Sequence, residues 1–343
     1  MKKILFWTVM LSVLSVKGES NWDQITPSAD FRYRFENSKD EAASEGRNRH
    51  RIRVRIGSLY QINDQMKFEL RLATSDGPSV TTTNSTLGNQ SKPKDIYIDR
   101  ATIQKKYNDL IFNIGRMKQV FTKAGKNQMF WDSDVSFDGL HVNYKFSGAY
   151  LNLASFWVDE NKASSTQDGA DVTLSASQIG YERESGDFAY NLGVSQYHYE
   201  NARKVGYDPN STGEGLNFLE VYGELKYAWK YPITIAISSI KNNEAEDNNS
   251  SNYVGFSMGK AKKKGSWIVG LNHRTVEANG ANRDFADGDF AGKTTDSSGF
   301  IYWGKYKLTD HEYLSFGYFV NKKNIDTTED DYTKLQVDYG VSF

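Results

Sequence analysis

The sequence contains no cysteine in 343 residues. An exported chain of this kind has neither a disulfide framework nor a thiolate metal site, so its stability must come from elsewhere. Long apolar runs are missing too. The stretch from Ile4 to Val16 is shorter than the roughly 20 residues a spanning helix requires, and no later segment approaches that length. Charge of one sign is also absent, with 42 basic against 43 acidic residues, and so balanced a chain is a poor nucleic-acid binder. Neither G-x-S-x-G nor H-E-x-x-H occurs. The histidines (His50, His141, His198, His273 and His311) come with no evident nucleophile and orienting carboxylate. Asp310 beside His311 sits where a tight turn is expected, an ordinary place for aspartate. An enzyme is therefore not expected.

What is present begins with Lys2 and Lys3, the apolar run, and Val16-Lys17-Gly18. This reads as a secretory signal peptide over residues 1–18, cut after Gly18, followed by a single barrel domain over 19–343. Its removal takes away three lysines and no acid, leaving the mature chain at a net charge of −4. Mean hydropathy is −0.65, yet 14% of residues are aromatic. A transmembrane β-barrel reconciles the two values, because only alternate strand residues face lipid while lumen and loops stay polar.

The stretch "NRHRIRVRIGSLYQI" places Arg49, Arg51, Arg53 and Arg55 at every second position with Ile52, Val54 and Ile56 between them. In a strand this gives one aliphatic face and one cationic face. From residue 26 onward, strand-like runs alternate with connections that are short, then long, then short. That asymmetry predicts an all-β, antiparallel transmembrane barrel of about sixteen strands, with short periplasmic turns and long external loops in a bacterial outer membrane. The fourth strand resists a single parity, because Ile96 and Ile98 share a phase with Arg100; a bulge is expected there.

An arginine facing lipid near the bilayer midplane costs roughly 2–4 kcal/mol. The ladder Arg49 to Arg55 must therefore face the lumen, and Arg71 on the neighbouring strand has the parity to join it. The closing residues "KLQVDYGVSF" alternate as well, with Tyr339, Val341 and Phe343 on one face. They resemble the C-terminal signal read by the barrel-insertion machinery.

The ordered segments "RNRHRIRVRIG", "LRLATSDG", "KDIYIDRATI", "GRMKQVF" and "FWDSDVSFDGLHVNY", across residues 47 to 144, resemble the putative porins of bacterial outer membranes. Arg49 to Arg55 match the basic strand, Asp99 and Arg100 the "DRA" segment, and Trp131 to Asp134 the loop motif. The resemblance implies a sixteen-stranded, trimeric diffusion pore. The third external loop, residues 118–136, is then expected to fold inward, as in general porins. Phe130 and Trp131 would pack on the wall, while Lys118, Lys123, Lys126, Asp132 and Asp134 face the constriction opposite the arginines. Such a lining favours anions mildly.

Two other readings stay open. One is a channel selective for sugars or anions, with Tyr150, Phe156, Tyr197 and Tyr222 pointing inward; the other is a plugged, non-conducting surface barrel acting as adhesin or receptor. No cofactor is expected, although Asp284, Asp287 and Asp289 in the seventh loop are hard oxygen ligands of a kind that holds calcium. The expected partners are outer-membrane lipid and lipopolysaccharide, the insertion machinery and two further copies of the chain.

Overall fold

The structure is a computed structural model that describes residues 22–43, 45–88, 90–161 and 169–343; the signal-peptide segment lies outside the described residues. The strands are β1 (Ile25–Asp40), β2 (Arg47–Asn63), β3 (Met66–Ser75), β4 (Ser85–Thr86), β5 (Asp95–Tyr107) and β6 (Leu110–Lys118). Next come β7 (Ser136–Phe146), β8 (Ala149–Asp159), β9 (Val172–Ser185), β10 (Phe188–Glu200), β11 (Asn217–Tyr227) and β12 (Ile233–Asn242). The chain ends with β13 (Ser250–Gly259), β14 (Trp267–Val276), β15 (Ser297–Lys307), β16 (Glu312–Lys323) and β17 (Asp330–Ser342).

All pairings are antiparallel; the wall strands pair in sequence order, β3 joining β5 directly, and β1 pairs with both β2 and β17, which closes the sheet. Closure leaves no unpaired edge, the condition for crossing a bilayer with strands. The two-residue β4 belongs to the second loop and pairs only with the top of β2, so the wall proper has sixteen strands among the described residues. Long connections gather at one rim: L2 (76–94), L3 (119–135), L5 (201–216) and L7 (277–296) among them. Short turns such as 147–148 and 186–187 lie at the other rim.

Alternation decides which side chains meet lipid. Ile96, Ile98 and Ile179 are about 60% exposed on the outer surface, whereas Glu36 and Gln178 are fully buried inside. Polar groups are thus buried and aliphatic ones exposed, the reverse of a water-soluble sandwich. The parity break in β5 is a bulge: Arg71 pairs with Arg100 and Leu72 with Ile98, leaving Asp99 as the extra residue. One added residue lets Asp99 and Arg100 both turn inward while Ile96, Ile98 and Ile103 keep the outer face.

Candidate functional site

Arg49, Arg51, Arg53 and Arg55 share one face of β2, on which Arg51 and Arg53 are buried, and the register explains how so many cations stand together. Arg32 lies opposite Arg53, and Arg34 opposite Arg51. Like charges directly opposite destabilise a sheet, so acids are interleaved. Asp338 reaches Arg34 at 2.7 Å and Arg32 at 3.6 Å. Glu36 pairs with Arg49 and stands 3.9 Å from Arg51. Asp30 takes Arg53 at 2.9 Å and Arg55 at 2.6 Å. Each of these wall carboxylates therefore serves two guanidinium groups, and loop carboxylates add to them, with Asp76 3.9 Å from Arg51, Asp134 3.5 Å from Arg55 and Asp289 3.2 Å from Arg34. Arg71 joins the ladder through Asp99, and Arg100 holds Glu69 at 2.9 Å. Below the ladder a cavity of about 490 Å³ is lined by Asp30, Arg55, Glu69, Arg71 and Arg100. The sequence reading missed Arg32, Arg34, Asp30 and Asp338. The signal was available in "DFRYRF", where Asp30, Arg32 and Arg34 occupy one face.

L3 lies against the opposite wall. Trp131 and Phe130 are 1% and 2% exposed. Trp131 meets Phe137 and Tyr197 with ring centroids 5.0 and 5.1 Å apart, and Phe130 meets Tyr197 and Phe218 at 5.0 and 4.9 Å. The partners Phe137, Tyr197 and Phe218 are inward residues of β7, β10 and β11, so the loop is pinned by an aromatic cluster. Its backbone is tied as well: Thr122 N–H donates to Gln178 Oε1 at 2.8 Å, and Gly125 N–H to Glu224 Oε2 at 2.7 Å. Gly125 has φ of 60°, and a Cβ there would stand 2.7 Å from that of Ala236, so only glycine permits this approach. Behind Thr122, a neutral chain Asn113–His141–Asn152–Gln178–Ser195 crosses β6 to β10 with links of 3.0 Å each.

The loop charges separate into two groups. Asp134 faces the ladder, 3.5 Å from Arg55, and accepts from Thr83 Oγ1 of L2 at 3.2 Å. Burial alone would raise its carboxyl, but Arg53, Arg32 and Arg55 pull it below the usual range. Lys118 and Lys126 are exposed. Lys123 and Asp132, expected at the constriction, are tied into the loops instead: Asp132 is buried beneath L7, and Lys123 is half-buried against the backbone of L3. Asp132 N–H donates to the Phe285 carbonyl at 2.8 Å, and its side chain accepts from Asp134 N–H at 2.7 Å and from Gly288 N–H at 3.3 Å. Burial, reinforced by Asp287 and Asp134, pushes the Asp132 carboxyl well up. Lys123 Nζ donates to the Trp131 carbonyl at 2.7 Å, and burial lowers its amine to about 8.

L7 is the part of the site that the sequence did not disclose. Arg274 of β14 holds Asp287 at 2.7 Å, and both are buried. Asp289 reaches Lys334 at 2.9 Å and Arg34 at 3.2 Å, which hold its carboxyl well below the ordinary value despite burial. L7 therefore spans from the L3 side to the arginine wall. Asp284, Asp287 and Asp289 do not converge: two are committed to cations, and no metal-holding group of three or more such ligands exists among the described residues. The four inward aromatics are covered or bonded to one another. Phe156 and Tyr197 belong to the L3 cluster, and Tyr150 and Tyr222 share a 2.5 Å hydroxyl contact. At the C-terminus Tyr339, Val341 and Phe343 share the outer face, with Phe343 77% exposed.

A search of curated proteins returns no match. Among solved structures, Pseudomonas putida OprB at high pH superposes with a TM-score of 0.65 at 12% identity, covering 98% of this chain and 97% of that one. A triple mutant of Rhodopseudomonas blastica porin gives 0.57 at 12% identity, over 93% and 100%. The L8-deletion variant of Vibrio cholerae OmpT gives 0.51 at 13% identity over the same shares. At such identities the likeness concerns the fold. The model of the putative porin family matches residues 20–217. With that match, the closed sixteen-strand wall and the inward polar face, the chain belongs to the putative porin family and forms a porin barrel of the bacterial outer membrane.

Proposed function

We propose that the protein is a passive diffusion channel for small hydrophilic solutes and ions with a mild preference for anions. The observation that carries this reading is the sharing of Asp30, Glu36 and Asp338 among six arginines. The strands themselves then carry more guanidinium than carboxylate groups, the loop acids Asp76, Asp134 and Asp289 offsetting part of that excess, and positive linings favour anions. L3 narrows the lumen from the far side, with Asp134 as its charge toward the wall and Phe130 and Trp131 as its anchor. Residues 1–18 direct export, and Tyr339, Val341 and Phe343 present the terminal strand to the insertion machinery. Assembly as a homotrimer is part of this reading, as the family resemblance implies; cross-linking that yields only monomer contradicts it.

One observation favours a second reading. L2, L3 and L7 meet inside the barrel through Thr83, Asp134, Asp132 and Gly288, which suits a plugged surface barrel. Planar-bilayer recording separates the two readings. Stepwise openings support the diffusion channel, and insertion without conductance supports the plug. Saturable block by a maltodextrin or by phosphate would instead place a selective solute site in the lumen.

A further inference from the structure

The turn joining β13 to β14, "KAKKKGS" over residues 260–266, is the longest at the short-turn rim and the most basic. Lys260, Lys262, Lys263 and Lys264 are exposed, and among the described residues their side chains have no hydrogen bond or ion pair. Nearly every wall arginine, by contrast, is matched to a carboxylate. The turn is also built rather than loose. Ser266 Oγ accepts from the Lys262 and Lys263 N–H groups at 2.9 Å each, Lys264 N–H donates to Asp310 Oδ1 at 2.9 Å, and Gly265 N–H donates to the Lys307 carbonyl at 2.8 Å. Asp310, the acid bonded to the turn, is engaged by that backbone bond.

Beside the lysines stands an aromatic cluster. Tyr231 and Trp267 lie 5.1 Å apart, Trp229 lies 6.4 Å from Tyr231, and Lys230 Nζ sits 5.4 Å over the Tyr231 ring. Gly259 N–H bonds the Pro232 carbonyl at 2.8 Å, which locks this neighbouring turn to the first. Trp229 and Tyr231 are 54% and 37% exposed. Amphipathic rings of this kind settle at headgroup depth, so the ammonium groups stand at the level of lipid phosphates.

We propose that this edge of the barrel binds the phosphate of an anionic glycerophospholipid in the periplasmic leaflet. The lysines supply the charge, and Trp229, Tyr231 and Trp267 seat the glycerol and upper acyl region. A carboxylated cell-wall polymer also carries negative charge, but it would not account for the exposed rings.

The test uses the full-length protein reconstituted in vesicles, with tryptophan fluorescence quenched by brominated phosphatidylglycerol or brominated phosphatidylcholine. Wild type is expected to prefer phosphatidylglycerol at least about fivefold, the effect of a single lysine acting at a membrane surface. The preference should vanish in K260Q/K262Q/K263Q/K264Q and weaken in K262Q/K263Q. Equal quenching by the two lipids in wild type overturns the proposal, as does a preference that survives in the quadruple variant. Lysine-dependent capture of purified peptidoglycan without lipid preference overturns it as well. Retained heat-modifiable migration confirms that the variants are folded.

Discussion

The two halves of the inner wall solve opposite problems. On β17, β1, β2 and β3 the wall carries guanidinium groups and holds them together with shared carboxylates, a network in which Arg34, Arg51, Arg53, Glu36 and Asp338 are buried and depend on their partners. On β7 to β12 the wall carries Phe137, Phe156, Tyr197 and Phe218, and buries them beneath L3. The first half is held by ion pairs with little apolar packing; the second is held by apolar packing beneath L3. The difference teaches that ion pairing and aromatic packing are assigned to separate sectors of one sheet, and that L3 and L7 are what bring the sectors into contact.

Removing the aromatic anchor should break the contrast most severely. In F130A/W131A, each truncation removes about 3–5 kcal/mol of packing. L3 should become sensitive to added protease, and single-channel conductance should rise and become noisy; a protected loop with unchanged conductance would show that the anchor lies elsewhere. Next in size is R274A, which leaves Asp287 buried without its cation at a cost of about 3–5 kcal/mol. Heat-modifiable gel migration should shift to lower temperature, while R274A/D287N should recover part of the loss. A result with the single and double variants alike would deny the pair its role in holding L7.

The smallest effect concerns Lys123. Burial favours its neutral amine, so the seated loop binds fewer protons than a released one between about 8 and the free value of 10.5. Stability of the L3–L7 junction therefore rises with pH across that window. Protease protection of L3 should increase from neutral pH toward pH 10 in wild type and stay flat in K123M. A fall in wild type would mean that the amine is not buried when the loop is seated.

Much of the charged sector was legible because period-two alternation is independent of tertiary context. Arg49 to Arg55 announce an inner face, and the conflict between Ile98 and Arg100 announced the bulge at Asp99. Arg32 and Arg34 obey the same period, but acids on the same face, Asp30 and Glu36, broke up the run of like charge that draws the eye. Phe130 and Trp131 were legible as an anchor since adjacent aromatics suit a wall better than water. L7 was not: Asp284, Asp287 and Asp289 in a glycine-rich loop look solvated or metal-binding. The cations of Asp287 and Asp289, namely Arg274, Arg34 and Lys334, come from strands far apart in sequence, and no local pattern encodes that meeting. The same holds for Asp132, whose burial comes from bonds to Phe285 and Gly288 of a loop far downstream.

The most direct test of the central claim is the reversal potential of the open channel under a salt gradient, compared between wild type and R53Q/R55Q. The positive sector predicts an anion-biased potential in wild type that moves toward cations when these two guanidinium groups become neutral amides. A wild-type potential at zero or on the cation side, or one that the substitutions leave unmoved, would contradict the assignment of selectivity to the arginine wall.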